Sequence, residues 1–302
     1  MVQVQPDPLP TYCQALLTFI TRALSFVPLA MLYRLAWLIY FLVYRVLRLR
    51  RSVVESNLAR SFPERSTGEI GALGQRVYRN YADVLVEMIA SLRMSEDEFL
   101  DRVRFEGADP LTVDLRDGKP VLLTLAHHCN LEWMLLAACL RFDYPVEVVY
   151  RPLANPGMEM VATEAYTRFG GRLIDDRSVI RSIMERRTVP RIVTLVSDQG
   201  PNVKDEIYWT EFLNQETGFF MAPEIIARFT NYPVYFANMR RESRGRYAVV
   251  FGRIAEPPYK GRAQVVVPAY VRAVEAQIRD APEDWFWMHR RWKRQRSMYA
   301  AA

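Results

Sequence analysis

The chain has few of the residues from which metal and redox sites are built. Only three of its 302 residues are cysteine and three are histidine. Cys13, Cys129 and Cys139 lie in apolar surroundings without the spacing of a zinc site, and their odd number argues against a disulfide framework. We therefore expect a reducing compartment, no metal and no other cofactor.

Lysine is scarce as well, because only Lys119, Lys204, Lys260 and Lys293 occur in the whole chain. Arginine therefore supplies nearly all of the positive charge, and the net charge of +6 suits an acidic surface or partner. A guanidinium matches phosphate and carboxylate groups well, although a GC-rich genome produces the same bias without any function. No groove-reading or base-stacking motif accompanies the basic residues, so we expect no nucleic-acid partner.

A signal peptide is not indicated, since no basic segment precedes the apolar residues 13–44 and no small-residue cleavage site follows them. This segment is helical in character, but Arg22, Pro28 and Arg34 interrupt it. A spanning helix needs about 20 apolar residues, so a tilted span, an interfacial hairpin and a buried helix pair all remain open. Four arginines follow and would attract anionic lipids on the cytoplasmic side: Arg45, Arg48, Arg50 and Arg51.

The rest of the chain alternates between strand-like and helical segments. Short apolar runs bounded by Pro, Gly or Asp indicate strands at 121–126, 145–150, 191–196, 233–237 and 247–251. Helical stretches are expected within 52–107 and near 157–169, 177–187, 219–229 and 265–280. This order predicts an α/β fold, a sheet flanked by helices. We divide the chain into a membrane-anchoring segment, residues 1–50, and a second domain, residues 51–302.

The segment 127–132, with sequence His-His-Cys-Asn-Leu-Glu, lies at an expected strand-to-helix junction. Asn130 is the predicted N-cap of the helix, so Glu132 on its first turn would fold back toward His127. A neutral imidazole can take a proton from a hydroxyl, and a nearby carboxylate fixes its tautomer. The residues alone do not separate His127 from His128, leave Cys129 as an alternative nucleophile, and also fit a surface histidine near a helix cap.

Several blocks of the sequence resemble those of one enzyme family in the same order. The segment 127–132 resembles the His-x4-Asp/Glu motif of the glycerolipid acyltransferase superfamily, and its Asn and Glu resemble the branch of late acyltransferases of lipid A biosynthesis. Further matching blocks are Arg-Ser-Val-Val-Glu-Ser-Asn-Leu at 51–58, Phe-Pro-Glu at 62–64, Tyr-Arg-Pro-x-x-Asn-Pro at 150–156, Arg-Phe-Gly at 168–170, Asp-Gln at 198–199 and Trp-x-His-Arg-Arg-Trp-Lys at 287–293. The resemblance extends over about residues 15 to 296.

This resemblance implies a glycerol-3-phosphate-acyltransferase-like mixed sheet and a membrane-associated N-terminus. It implies transfer of a fatty acyl chain from acyl carrier protein to a lipid A precursor at the cytoplasmic face of the bacterial inner membrane. His127 is then the general base, and Glu132 orients it. Arg168 would bind phosphate or steady the oxyanion. The residues expected to bind substrate are Asn130, Arg151, Asn155, Arg168, Asp198 and Gln199.

Three departures from the family pattern bear on the substrate. Cys129 and Leu131 stand where Gly and Trp are frequent, and residues 212–217 read Phe-Leu-Asn-Gln-Glu-Thr where many members have Phe-Phe-Gly before a Thr. The altered block keeps open another acceptor, such as a glycolipid, an aminolipid or a pigment-linked lipid. A non-catalytic lipid-binding protein is a further alternative, which the intact His127 and Glu132 disfavour.

The C-terminal segment mixes tryptophans with basic residues. Its basic side chains could dock lipid phosphates or an acidic carrier protein, and its tryptophans could instead pack onto the core. The residues concerned are Trp285, Trp287, Arg290, Arg291, Trp292, Lys293 and Arg294. Both readings stay open at this point.

Overall fold

A seven-stranded sheet forms the centre of the computed structural model, which describes residues 11–152, 156–201, 206–261, 263–293 and 296. The strands are β1 (Val103–Glu106), β2 (Val121–Leu125), β3 (Val146–Tyr150), β4 (Arg172–Asp175), β5 (Ile192–Val196), β6 (Ile207–Phe212), β7 (Gln215–Phe220), β8 (Val234–Ser243) and β9 (Arg246–Ala255). Their order in the sheet is β1-β9-β8-β2-β5-β3-β4, and β6 and β7 form a separate hairpin. All neighbours in the large sheet run parallel except β8 and β9.

Eleven α-helices are assigned within the described ranges. They are α1 (Thr11–Leu24), α2 (Leu29–Tyr40), α3 (Arg51–Ser61), α4 (Thr67–Ser91), α5 (Glu96–Arg102), α6 (Asp109–Arg116), α7 (Leu131–Arg141), α8 (Pro156–Thr167), α9 (Val179–Glu185), α10 (Ala222–Thr230) and α11 (Val266–Asp280). A π-helical segment, Phe41–Val46, continues α2, and a short 3-10 turn, Pro282–Asp284, follows α11.

The central strands are apolar because helices cover the sheet. All five residues of β2 are buried, as are the first four of β5. In a parallel sheet both faces pack against other elements, so continuous Val, Leu and Ile runs replace the alternating pattern of a half-exposed strand. This explains why the middle of the sheet could be predicted from sequence.

The N-terminal helices pack on the long helix α4. Leu32, Ala36, Tyr40 and Tyr44 are buried at a spacing of four residues, which forms one stripe along α2 and its π-helical extension. Tyr44 meets Tyr78 of α4 with ring centroids 5.1 Å apart. The helix Leu29–Val46 is also long and apolar enough to cross a membrane by length and composition.

The predicted α/β fold, a sheet flanked by helices, is confirmed. The five predicted strands correspond to β2, β3, β5, β8 and β9, and the four later helices to α8, α9, α10 and α11. The sequence did not predict β1, β4 or the β6–β7 hairpin. In particular, β7 occupies the start of the helix expected near 219–229, since α10 begins only at Ala222.

Candidate active site

The register of two strands brings the site together. β2 and β5 pair in parallel with Val121 opposite Ile192 and Leu125 opposite Val196, a constant offset of 71 residues. His127 and Asp198 have the same offset and follow the two strands by two residues each. The pair therefore lies at the carboxyl edge of the sheet, where open α/β sheets bind ligands.

His127 makes three polar contacts with the segment after β5. Its Nδ1 lies 2.6 Å from Oδ1 of Asp198, and its backbone N–H donates to Oδ2 of the same carboxylate at 3.0 Å. The side-chain Nε2 of Gln199 lies 3.2 Å from Nε2 of His127. With the proton on Nδ1 and donated to Asp198, Nε2 accepts from the Gln199 amide and is the nitrogen that can take a proton.

Asp198 is buried, with a 1% exposed side chain, but it is fully satisfied. The indole N–H of Trp285 donates to its Oδ2 at 2.7 Å. The preceding backbone is also fixed, because the hydroxyl of Tyr270 accepts from the Ser197 N–H at 3.1 Å and donates to the Leu125 carbonyl at 2.8 Å. Tyr270 thereby connects the ends of β5 and β2 directly behind the pair.

The pair is electrostatically coupled. Burial alone would lower the pKa of His127, but the charge of Asp198 and their hydrogen bond outweigh it and raise this pKa above its usual value. Burial would raise the pKa of Asp198, yet His127 and the Trp285 N–H hold it below the usual range. Asp198 is therefore the carboxylate that stabilises an imidazolium at His127.

Glu132 occupies a different place from the one expected. We expected it to orient His127, but Asp198 holds Nδ1, and the Glu132 carboxylate instead accepts from the Tyr166 hydroxyl at 3.4 Å. Burial raises the pKa of Glu132, and its charge contributes to the raised pKa of His127. The correction follows from the register, which places a carboxylate from β5 closer to the imidazole than one from the next helix.

The structure separates the two adjacent histidines. The His127 side chain is 32% exposed and lines a cavity, whereas His128 is 2% exposed. Nε2 of His128 donates to the Ala281 carbonyl at 3.0 Å, and its Nδ1 lies 3.3 Å from Sγ of Cys129. Burial lowers the pKa of His128, so it stays neutral as a structural residue.

Cys129 is a poor nucleophile in this setting. Burial raises the pKa of its thiol well above the usual value, which disfavours the reactive thiolate. Its backbone has a φ of +55°, a left-handed conformation that turns the chain between His128 and the start of α7. The side chain points to His128 and the Met239 carbonyl.

Asn130 is the N-cap of α7, as predicted, and its Oδ1 accepts from the Trp133 N–H at 3.0 Å. Its Nδ2 donates to Glu87 at 2.8 Å. Glu87 is fully buried and also accepts from the hydroxyls of Tyr33 and Tyr247. Asn130 is itself fully buried, and its side chain is occupied by these protein contacts instead of the expected contact with substrate.

The two expected arginines also have protein partners. Arg151 follows β3 and pairs with Asp176 at 2.6 Å, while Arg168 donates to the carbonyl of Ser91, the last residue of α4. Neither lines the cavity beside His127 as far as the structure describes it. Arg168 thus caps a helix in this structure, which does not match the expected phosphate or oxyanion contact. The remaining substrate-binding candidate, Asn155, lies outside the described residues.

A cavity of about 260 Å³ opens beside His127. One wall is an apolar stripe of α4, consisting of Val77, Tyr81, Val84, Leu85 and Met88. The opposite wall includes Leu131, Glu132, Trp285 and Phe286. The lining also includes the polar side chains Asn80, Arg241, Glu283 and Asp284, and such a mostly apolar cavity with some polar groups suits a substrate that has a hydrocarbon chain.

The C-terminal tryptophans pack onto the core. Trp285 and Trp287 are 4% and 0% exposed, with ring centroids 4.7 Å apart. The altered block 212–217 lies next to them: Phe212 meets Trp285 at 6.2 Å, and Asn214 in the turn of the hairpin donates to the Ser61 carbonyl. This block is therefore not part of the described cavity wall.

Comparison with known proteins identifies the family of the chain. Residues 7–294 match the family model of the bacterial lipid A biosynthesis acyltransferases. The chain belongs to this family. It is an acyltransferase, and the late-acyltransferase resemblance of its motifs is confirmed.

Individual relatives are distant but cover most of the chain. The lipid A biosynthesis palmitoleoyltransferase of Escherichia coli K12 is 23% identical over 82% of this chain and 80% of its own length. The lipid A biosynthesis acyltransferase of Shigella flexneri has the same identity and coverage. The lipid A biosynthesis lauroyltransferase of Escherichia coli K12 is 21% identical over 88% of this acyltransferase and 86% of its own length.

Sequence reasoning missed the α4 wall of the site. The segment 52–107 was predicted to be helical and to cover the core, without a contact to His127. Its signal is visible in retrospect, because the spacing of Val77, Tyr81, Val84 and Met88 is that of one helix face. Trp285 was considered only for packing or docking, and its hydrogen bond to Asp198 links residues that are far apart in sequence.

Proposed function

We propose that this acyltransferase moves a fatty acyl chain from an acyl carrier protein thioester to a hydroxyl of a lipid A precursor at the cytoplasmic face of the inner membrane. The observation that carries the proposal is the Asp198–His127–Gln199 arrangement beside an apolar cavity, in a chain of this family. An acidic carrier protein and an anionic membrane surface both suit the net charge of +6.

His127 acts as the general base in the proposed reaction. The acceptor hydroxyl replaces the Gln199 amide at Nε2, gives its proton to Nε2, and its oxygen attacks the thioester carbonyl. When the C–S bond breaks, the imidazolium returns the proton to the leaving thiolate, which gives an ester and a free thiol. Asp198 stabilises the imidazolium in between, as the raised pKa of His127 supports.

Gln199 has two successive roles in this proposal. In the resting site its amide donates to Nε2 and keeps the base nitrogen satisfied. Once the acceptor hydroxyl displaces it, the amide is a free donor beside the reacting atoms. A donor aimed at the developing negative charge lowers the barrier more than one that only binds the substrate.

The membrane proposal places α1 and α2 in the plane of the interface. These helices expose large apolar side chains, including Phe19 of α1 and Trp37 of α2, and the turn between them exposes Phe26. The inner side of α2 packs along α4 of the catalytic domain, which supports a helix lying on the membrane over one crossing it. In this proposal, residues 1–50 remain the anchoring segment and residues 51–302 the catalytic domain. The exposed Arg45 and Arg48 would then face anionic headgroups.

Mass spectrometry of total lipids tests the function directly. Cells lacking the gene should lose one acyl chain from lipid A, and the wild-type gene should restore it while the His127→Ala gene should not. Unchanged lipid A with a missing acyl group on another membrane lipid would move the acceptor to that lipid. Purified protein that releases no thiol from any thioester in a His127-dependent way would favour lipid binding without catalysis.

A further inference from the structure

A second hollow, of about 250 Å³, lies between α3 and the C-terminal segment. We call it the basic pocket. The side chains that carry its polar character are Ser52, Ser56 and Arg60 of α3 and Arg290, Trp292 and Lys293 of the C-terminal segment. The α3 residues are four positions apart, so they share one face of that helix.

The charge of the basic pocket is not compensated. No acidic residue is among its described lining residues, and Arg60, Arg290 and Lys293 form no ion pair within the described part of the chain. Nearby Arg51, by contrast, pairs with Glu55 at 2.8 Å. Three like charges around one hollow repel each other, and an anion removes that repulsion.

The wall of the basic pocket is fixed by buried anchors. Asn57 is 8% exposed, and its Nδ2 donates to the carbonyls of Trp287 and His289 at 3.0 Å each. Arg291 is 5% exposed and donates to the Gly218 carbonyl, and the Trp292 indole N–H donates to Thr217. Arg290 and Lys293 are therefore exposed side chains on a backbone that these hydrogen bonds fix in place. Such an arrangement is suitable for a binding site.

The same segment connects the basic pocket to the reaction centre. Trp285 holds Asp198, and the ring of His289 lies 3.8 Å from where a Cβ of Gly200 would be, directly after Gln199. Arg290 is the next residue. Along the C-terminal segment, Trp285 and Phe286 therefore line the apolar cavity, His289 lies beside the residues that follow Gln199, and Arg290 and Lys293 line the basic pocket. A thioester donor carries its groups in the same order: acyl chain, thioester carbonyl and, at the far end of its pantetheine arm, a phosphate.

We propose that the basic pocket binds the phosphate of the pantetheine arm of the acyl donor. The inference rests on the proposed function, since it assumes a thioester donor of this kind. Arginine and lysine supply charge-assisted hydrogen bonds to the phosphate oxygens, and the hydroxyls of Ser52 and Ser56 supply neutral ones. A lipid acceptor also carries anionic groups, but the order of the two pockets along the C-terminal segment matches the order of the groups in the donor.

Calorimetric titration of the full chain in detergent micelles tests the assignment without turnover. The probes are a phosphopantetheine whose sulfur carries an alkyl chain through a stable thioether, and the same compound without phosphate. Wild-type protein should bind the phosphorylated probe about tenfold more tightly, since one set of charge-assisted contacts is lost with the phosphate. In the Arg290→Ala/Lys293→Ala variant the ratio should fall to about one, with unchanged affinity for the probe lacking phosphate.

Arg181→Ala is the matched control, because Arg181 is an exposed arginine on α9 outside the basic pocket. The Arg181→Ala variant should keep the wild-type ratio of affinities for the two probes. A wild-type ratio of one, an unchanged ratio in the double variant, or equal weakening of both probes would overturn the assignment. If the double variant instead raised the KM for the acceptor lipid and left the affinity ratio of the two probes unchanged, the assignment would also fail, because the pocket would then bind a lipid phosphate. Absence of turnover with a normal probe ratio would instead count against the proposed function alone.

Discussion

Two adjacent histidines after β2, His127 and His128, lie in opposite environments. His127 faces a cavity and its Nδ1 donates to Asp198, whereas His128 is buried and donates to a backbone carbonyl. The pKa of His127 is raised and that of His128 is lowered, although the residues are adjacent. The difference teaches that Asp198, which follows the neighbouring strand β5, determines which of the two imidazoles is placed to act as a base.

Substitution of each histidine should show the largest difference. His127→Ala removes the base and should reduce turnover about 10⁴-fold, the upper end of what general base catalysis contributes. His128→Ala loses one buried hydrogen bond and should cost about 1–3 kcal/mol of unfolding free energy, with a smaller effect on turnover. Thiol release and thermal unfolding of both variants measure this, and a greater loss of turnover at His128 would reverse the assignment.

The two carboxylates near His127 give the next largest effect. Asp198→Asn should reduce kcat about 10²-fold, because the imidazolium loses its countercharge. His127 must be neutral to accept a proton, so activity falls as the pH drops through its pKa. Since Asp198 raises that pKa, Asp198→Asn should move the acidic limb of the kcat/KM profile to lower pH.

Glu132→Gln is the comparison for that variant. It removes a charge of the same sign that accepts from Tyr166 and does not hold Nδ1. We expect a smaller loss of kcat and a smaller shift of the acidic limb in the same direction. If Glu132→Gln matched or exceeded Asp198→Asn in both quantities, the orienting role would return to Glu132.

Gln199→Ala should have an intermediate effect of about tenfold on kcat, the order of magnitude of one neutral hydrogen bond of about 1.4 kcal/mol. If the amide acts on the developing oxyanion, kcat and kcat/KM should fall together. Steady-state kinetics with varied acceptor decides this. A lower KM for the acceptor at unchanged kcat would show that the amide only competes with the hydroxyl for Nε2.

Cys129→Ala should have the smallest effect, within about threefold of wild-type turnover, because the raised pKa of its thiol disfavours the thiolate that would act as a nucleophile. A loss of several orders of magnitude, with accumulation of an acyl-enzyme in mass spectra of wild-type protein, would instead establish covalent catalysis. Cys139→Ala is a suitable control, since the structure places this free thiol on α7, outside the cavity wall as described.

The parts of the fold that could be predicted from sequence are those where local pattern and burial agree. β2 and β5 are short apolar runs in a buried parallel sheet, so pattern alone indicated them. β1 and β4 are only four residues long, lie at the two edges of the sheet and contain charged residues, so they carry no such pattern. The β6–β7 hairpin turns at Leu213 and Asn214 without glycine, although both have positive φ.

The site residues likewise fall into those placed by local sequence and those placed by tertiary contacts. The position of His127 just after β2 and the cap at Asn130 depend on neighbours in sequence, and the structure shows both where they were expected. The carboxylate that contacts Nδ1 of His127 depends on strand order. Glu132 was expected there because it is only five positions from His127 in sequence. The sequence could not show that β5, and with it Asp198, lies beside β2. Arg168 was expected at the site, but its position is set by the end of α4. Where a contact differs from the expected one, a tertiary contact accounts for the difference.

The pairing of Leu125 with Val196 also links catalysis to the cooperativity of unfolding. Because the catalytic pair continues the register of β2 and β5, a slip by one residue would displace Asp198 by about 3.3 Å and turn it to the opposite face. The pairing of the two central strands therefore sets the distance between the carboxylate and the imidazole. Heat or denaturant should thus abolish activity in the same transition that melts the sheet, and the segments between the two strands can vary in length without moving the base.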